Sequence, residues 1–259
     1  MLGIFDSGFG GLTVLKDIHR RLPSLSTVYL GDNARAPYGT RPQDEIFAFT
    51  LEGVRALFGM GCPLVILACN TASTNALRRI QQEILPTEFP DRRVLGVIRP
   101  TVERIGAAER VGVFATPATV ASGAYERELG GPVPQIDCPG LVDMIEQGRD
   151  RTQDADEMVA GFCEEMMALD PRLETALLGC THYPLVEGLF KKHLPEDVRI
   201  LGQGPIVADA LADYLDRHPD ISARIRTDGE RTYLTTANSV DDSLASRFYG
   251  KPISFTPTS

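Results

Sequence analysis

Leu2-Gly3-Ile4-Phe5-Asp6-Ser7-Gly8-Phe9-Gly10-Gly11 passes from four strand-forming residues into a turn dense in glycine. Directly after it, Leu12, Leu15, Ile18 and Leu22 recur at helical spacing until Pro23 ends the stripe. Strand, glycine turn and amphipathic helix in that order make one βα unit, and a chain of such units folds around a mainly parallel sheet. Further strands are predicted over 27–30, 63–68, 94–98, 111–115, 175–178, 198–201 and 232–234, with helical patterns filling most of the gaps.

The opening string also has a counterpart. Leu2-Gly3-Ile4-Phe5 recurs in type as Val111-Gly112-Val113-Phe114, and Val65-Ile66-Leu67-Ala68-Cys69-Asn70-Thr71 is echoed by Ala176-Leu177-Leu178-Gly179-Cys180-Thr181-His182. Phe5 precedes Cys69 by 64 residues and Phe114 precedes Cys180 by 66, so each half carries a cysteine at the same place. These matched offsets favour a duplicated unit over a chance likeness of apolar runs. No low-complexity segment or long linker interrupts the chain, so a boundary must lie in a crossover, with Arg92-Arg93 and Gly202 to Pro205 as candidates.

Composition bounds the function. The 259 residues are 43% hydrophobic and 24% charged, which is globular rather than disordered. A net charge of −9 has the wrong sign for a protein that neutralises phosphates, so nucleic acid is not expected as a partner. The longest apolar run, Pro63 to Ala68, is far short of the ~20 residues a membrane helix needs, and no basic segment precedes the first strand. Neither a membrane span nor a signal peptide is expected. Five cysteines in such a chain read as reduced thiols in the cytosol.

Cys69 and Cys180 each fall where a buried strand gives way to a helix, predicted over 72–85 for the first and opened by Pro184 for the second. Backbone N–H groups and the helix dipole at such a point favour a thiolate, and ligands of open α/β sheets collect at strand carboxyl ends. Their paired placement beside polar residues favours function, whereas Cys62, Cys138 and Cys163 read as small buried hydrophobes. His182, two residues beyond Cys180, is placed to bond the thiol or to shuttle its proton. Asp6 and Ser7 present polar groups at the end of the first strand, where Asp6 is open to acid/base work, to amine binding or to a plain turn-forming role. The loop Gly31 to Thr40 can offer Tyr38 and backbone N–H groups, or can be a solvated connection. The third dinucleotide glycine is missing after Gly8-Phe9-Gly10, no Walker lysine motif exists, and zinc-ligand spacings are absent.

Together these strings resemble the cofactor-independent glutamate racemases, within the wider aspartate/glutamate racemase superfamily. The likeness covers nearly the whole chain. It rests on Asp6-Ser7-Gly8-Phe9-Gly10-Gly11, Gly31-Asp32 with Pro37-Tyr38-Gly39, Ala68-Cys69-Asn70-Thr71-Ala72-Ser73, Cys138-Pro139 with Glu146, and Gly179-Cys180-Thr181-His182-Tyr183-Pro184, in family order. His182 stands where aspartate racemase-like members tend to carry an acidic residue, which favours glutamate. Thr74 where alanine is common and Asp143 in a stretch that often carries proline depart from the pattern without touching the proposed bases.

The resemblance implies two similar three-layer α/β domains with mainly parallel sheets, related by a pseudo-twofold axis, with the active site at their interface. Residues 1–93 with 205–259 would form one domain and residues 94–204 the other. Inverting an α-carbon without a cofactor needs one group to remove a proton and another to deliver one from the opposite face. By resemblance, Cys69 deprotonates D-glutamate while Cys180 protonates the carbanion, with roles exchanged for L-glutamate, and Asp6 and His182 assist. Substrate would be held by Ser7, Tyr38, Gly39, Asn70, Thr71 and Thr181, with Asp6 and His182 beside it and Thr116 and Thr119 as further candidates. No pyridoxal phosphate and no metal are implied, homodimerisation is common in the family, and the product would serve peptidoglycan synthesis. The role of Glu146 stays open. The chain begins at its first strand, so the regulation of members that are activated by a cell-wall precursor and carry an N-terminal extension is not expected. The alternatives are an aspartate racemase, a single-thiol hydrolase or decarboxylase, and a non-catalytic amino-acid binding protein.

Overall fold

The computed structural model describes residues 1–105 and 110–258. Its strands are β1 Leu2–Asp6, β2 Thr27–Gly31, β3 Leu64–Leu67, β4 Arg93–Gly96, β5 Val111–Ala115, β6 Gln135–Asp137, β7 Thr175–Gly179, β8 Arg199–Leu201, β9 Arg231–Thr235 and β10 Thr256–Pro257. They form a six-stranded sheet in the order β10-β9-β2-β1-β3-β4 and a four-stranded sheet in the order β6-β5-β7-β8. All pairings are parallel. The duplicated strings land on matching strands: β2-β1-β3-β4 has the same order as β6-β5-β7-β8, with β1 and β5 at equivalent centres.

Why these strings become strands follows from burial. Every residue of β1, β3, β5 and β7 is buried, which is the continuous apolar signature of a parallel sheet covered on both faces. Helix α1, Leu12–Arg21, buries Leu12, Leu15 and Ile18 as predicted and ends on His19, Arg20 and Arg21, cations at the negative end of its dipole. It packs closely on helix Gly204–Arg217, where a Cβ at Gly204 would lie 2.1 Å from Asp17 Oδ2.

Helix α2, Gln43–Gly59, approaches β1 through Gly53, where a Cβ would lie 2.2 Å from the Phe5 ring. Gly53→Ala is therefore expected to destabilise the protein by about 1–3 kcal/mol through overpacking, read as a lower urea midpoint at unchanged slope. An unchanged midpoint would mean that α2 can back away from β1 freely.

Several boundaries differ from expectation for local reasons. Helix α3, Asn70–Arg79, starts two residues early because Cys69 caps it, its sulfur accepting the Ala72 N–H at 3.4 Å. Residues Ile80–Ile84 then wind as a π-helical turn before a short helix at Leu85–Glu88. The strand expected through residue 98 stops at Gly96, because Ile98 already opens helix Ile98–Ile105. Pro184 lies in a 3₁₀ turn, Tyr183–Val186, and helix Glu187–His193 follows. Strands β6 and β10 have no counterpart in the sequence reading.

Candidate active site

The carboxyl ends of β1, β3, β5 and β7 meet at a cavity between the two sheets. Ser7, Tyr38, Gly39, Cys69, Asn70, Thr71, Thr116, Cys180, Thr181 and His182 line it, joined by Ala36, Pro37, Val142 and Glu146. Of the residues singled out in the sequence, Asp6 and Thr119 lie just behind this wall. The cavity volume is about 20 Å³, room for roughly one water molecule.

Cys69 Sγ lies 3.5 Å from Ser7 Oγ and 3.4 Å from the Ala72 N. The helix start was expected to favour a thiolate, and the N–H contact is present. Burial nevertheless dominates: together with the nearby Asp6 charge it pushes the Cys69 thiol up to about 12, against the opposing pull of Ala72 and Ser7. Without substrate, Cys69 is thus a protonated thiol at neutral pH. Asp6 is itself wholly buried, and burial raises its carboxyl despite the His182 charge and the N–H of Gly8, which donates to Oδ1 at 2.9 Å. Thr181 Oγ1 donates to Asp6 Oδ2 at 3.5 Å across the seam between the sheets.

On the other side, Cys180 Sγ lies 3.9 Å from His182 Nδ1, and His182 Nε2 lies 2.9 Å from Glu146 Oε1. Burial works against the imidazolium, yet the bonds to Cys180 and Glu146 carry His182 up to about 10. Glu146, whose role the sequence left open, is therefore the carboxylate partner of His182. It ends the six-residue helix Leu141–Glu146, which brings it to the cavity although no strand leads directly into it.

A histidine raised from 6.5 to about 10 adds stability that is fully present below pH 6.5 and is lost as pH climbs through about 10. Glu146→Gln should lower the His182 pKa. Its denaturation midpoint is then expected to fall less between pH 6.5 and 10 than that of the wild type, and the alkaline limb of any His182-dependent rate should move to lower pH. Superimposable profiles would dissociate Glu146 from His182.

The hydroxyl-bearing residues form a second cluster. Thr71 Oγ1 lies 2.9 Å from Thr116 Oγ1 and 3.4 Å from Thr119 Oγ1, and Thr116 Oγ1 donates to Thr119 Oγ1 at 3.0 Å, so Thr119 stands behind both cavity-lining threonines. The loop carrying Tyr38 is anchored rather than solvated. Tyr38 donates a short hydrogen bond to Asp32, which also accepts from Arg35 Nε at 2.8 Å and Thr236 Oγ1 at 2.7 Å. Burial and the Asp32 charge push the Tyr38 phenol up, keeping it neutral. All five cysteines are free and buried, and no cluster of three or more His, Cys, Asp or Glu able to hold a metal occurs among the described residues.

Residues that the sequence reading passed over complete the site. Gly10 lets the first strand's turn press on the second half of the chain: a Cβ there would lie 2.2 Å from Thr181 Oγ1 and 2.5 Å from His182 Nδ1. Thr13 Oγ1 bonds to the Thr181 carbonyl at 2.9 Å, and the Phe248 ring meets the His182 ring edge-on at 5.0 Å.

Two parallel α/β units that close on one small cavity, each contributing a buried thiol from a strand end, define an α/β enzyme equipped to handle one substrate from two sides. The model of the Asp/Glu/Hydantoin racemase family matches residues 7–211. The chain belongs to this family, and with it to the isomerases. It is 45% identical over 255 residues to the glutamate racemase of Roseobacter denitrificans, covering 92% of this chain and 91% of that one. Identity to the glutamate racemase of Ruegeria pomeroyi is 44%, with 98% of each chain covered. The solved structure of glutamate racemase from Francisella tularensis in complex with D-glutamate superposes with a TM-score of 0.88 at 28% identity, covering 100% of this chain and 97% of that one. No helix among the described residues is long and apolar enough to cross a membrane.

Proposed function

We propose that this chain interconverts L- and D-glutamate by proton transfer between two thiols. The observation that carries this reading is the pair Cys69 and Cys180, one from each sheet, facing one cavity with separate polar partners. Cys69 as thiolate takes the α-proton of D-glutamate, becoming a thiol and leaving a carbanion. Cys180 as thiol gives its proton to the opposite face, becoming a thiolate and releasing L-glutamate. The reverse reaction exchanges the roles. His182, backed by Glu146, resets the proton on Cys180, and Asp6 assists Cys69.

The raised pKa of Cys69 makes the substrate part of the device. An ammonium group brought close to Cys69 and Asp6 favours both anions, so as glutamate binds the Cys69 thiol gives its proton to water and is left as the thiolate. Ser7, Tyr38, Gly39, Asn70, Thr71, Thr116 and Thr181 hold the substrate by hydroxyl, amide and backbone groups, with Thr119 supporting Thr116. The walls must part for glutamate to enter, since the closed cavity admits about one water. No pyridoxal phosphate or metal takes part in this scheme. A cytoplasmic location, a homodimer and a supply of D-glutamate to peptidoglycan synthesis belong to the same proposal. So does the division into residues 1–93 with 205–259 and residues 94–204, taken to within the length of β4.

Incubation of reduced protein with each glutamate enantiomer in D2O, without added cofactor, tests it. Loss of the α-proton signal from both enantiomers, with decay of optical rotation, is the expected result. Exchange with aspartate alone would move the substrate assignment, and exchange with neither would overturn it.

A further inference from the structure

Asn70 follows Cys69 directly and lines the cavity, but most of its amide is engaged on the far side. Asn70 Nδ2 donates to Gln203 Oε1 at 2.7 Å, and Tyr125 OH donates to Asn70 Oδ1 at 2.9 Å. Gln203 Nε2 closes the circle by donating to Tyr125 OH at 3.3 Å. All three side chains are buried. They come from three places: the start of α3, helix Ala124–Leu129 beside the second sheet, and the turn that leads into helix Gly204–Arg217.

The sense of this ring is fixed from outside. Thr101 Oγ1 gives its proton to the Val97 carbonyl at 2.7 Å, so its oxygen is left to accept, and Gln203 Nε2 donates to it at 3.0 Å. The Gln203 nitrogen therefore faces Thr101 and its oxygen faces Asn70. That oxygen demands a donor, which turns the Asn70 nitrogen toward Gln203 and the Asn70 oxygen toward Tyr125. Flipping the Asn70 amide would set two oxygens against each other at 2.7 Å and leave buried groups unsatisfied.

We propose that Tyr125 and Gln203 are positioning residues that act through Asn70, fixing its amide so that one N–H of Nδ2 remains for a substrate carboxylate beside Cys69. This rests on the racemase reading given above. Neither Tyr125 nor Gln203 lines the cavity, so they act on the reaction only by constraining Asn70. Because the ring joins elements from both sheets, it also sets the position of Asn70 relative to the second half of the chain.

The test is a double-mutant cycle with a second, activity-free readout. Tyr125→Phe and Gln203→Met are each expected to lower kcat/KM for glutamate about tenfold, the equivalent of one buried hydrogen bond to a binding group. Asn70→Ala should lower it by more. In the Asn70→Ala background, adding Tyr125→Phe should then change kcat/KM by less than about twofold, because its target is gone. Losses that add across the two positions would overturn the positioning role while leaving the racemase reading intact.

The second readout is hydrogen exchange of the Asn70 side-chain amide protons, followed by NMR in nitrogen-15-labelled protein. Protection in the wild type that is lost in Tyr125→Phe and in Gln203→Met supports the ring, and equal exchange in all three overturns it. Absence of glutamate turnover in the wild type would overturn the racemase reading instead, and the amide exchange would still decide for or against the ring.

Discussion

Cys69→Ser and Cys180→Ser should each lower kcat/KM for glutamate by about 10²–10⁴, the usual contribution of a positioned acid or base. Both sulfurs sit on the cavity wall, and a serine hydroxyl in the same place is a far weaker base. The loss is expected in both directions by the same factor, since one enantiomer's forward path is the other's return path. Loss on replacing either cysteine, rather than the equality of the two directions, separates the two-thiol scheme from single-thiol chemistry, in which one of the two cysteines is dispensable. Turnover retained by either variant at near wild-type level would exclude the two-base reading. Each variant should stay folded, because the exchange replaces one buried atom by a smaller one.

Gly10→Ala is expected to lower kcat/KM by about 100-fold with only a small shift in Tm. The new Cβ would lie 2.2 Å from Thr181 Oγ1 and 2.5 Å from His182 Nδ1, over an ångström inside ordinary contact. The turn at Gly10 is pinned by the Gly11-to-α1 start, and Thr181 is tied to it through Thr13, so His182 and Thr181 must give way. A displacement of about 1 Å in catalytic groups commonly costs two orders of magnitude in rate. A wild-type rate with a large fall in Tm would instead mean that the two halves slide apart and the site survives.

The parts of the fold that could be read in the sequence are those whose cause is local. β1, β3, β5 and β7 are apolar at every position because helices cover both faces, and the repeat between them survives as a shared strand order. β10 escaped notice because two exposed residues, Thr256 and Pro257, carry no apolar pattern, and β6 is only three residues long. In the site, Ser7, Cys69, Asn70, Thr116, Cys180 and Thr181 were legible as polar residues following buried strands. Glu146 and Gly10 were not, since each has its meaning only against His182, a partner 36 residues away for the one and 172 for the other. Tyr125 and Gln203 look like ordinary helix-turn residues until the crossovers bring them to Asn70. The thiol chemistry of Cys69 needed the structure too, because a helix start argues for acidity and only the depth of burial reverses it.

The place of β9 has a consequence for synthesis. It pairs with β2 in the register Thr27↔Arg231, so the outer edge of β2 stays open until some 200 further residues have been made. At the usual pace of about 5–20 residues per second, that interval is about 10–40 s. Throughout it the growing chain exposes an unpaired, fully buried-type strand edge, the kind of surface that invites wrong pairing. The second sheet, whose strands all lie between Val111 and Leu201, has no such wait, and can be complete while the first is still missing its last two strands.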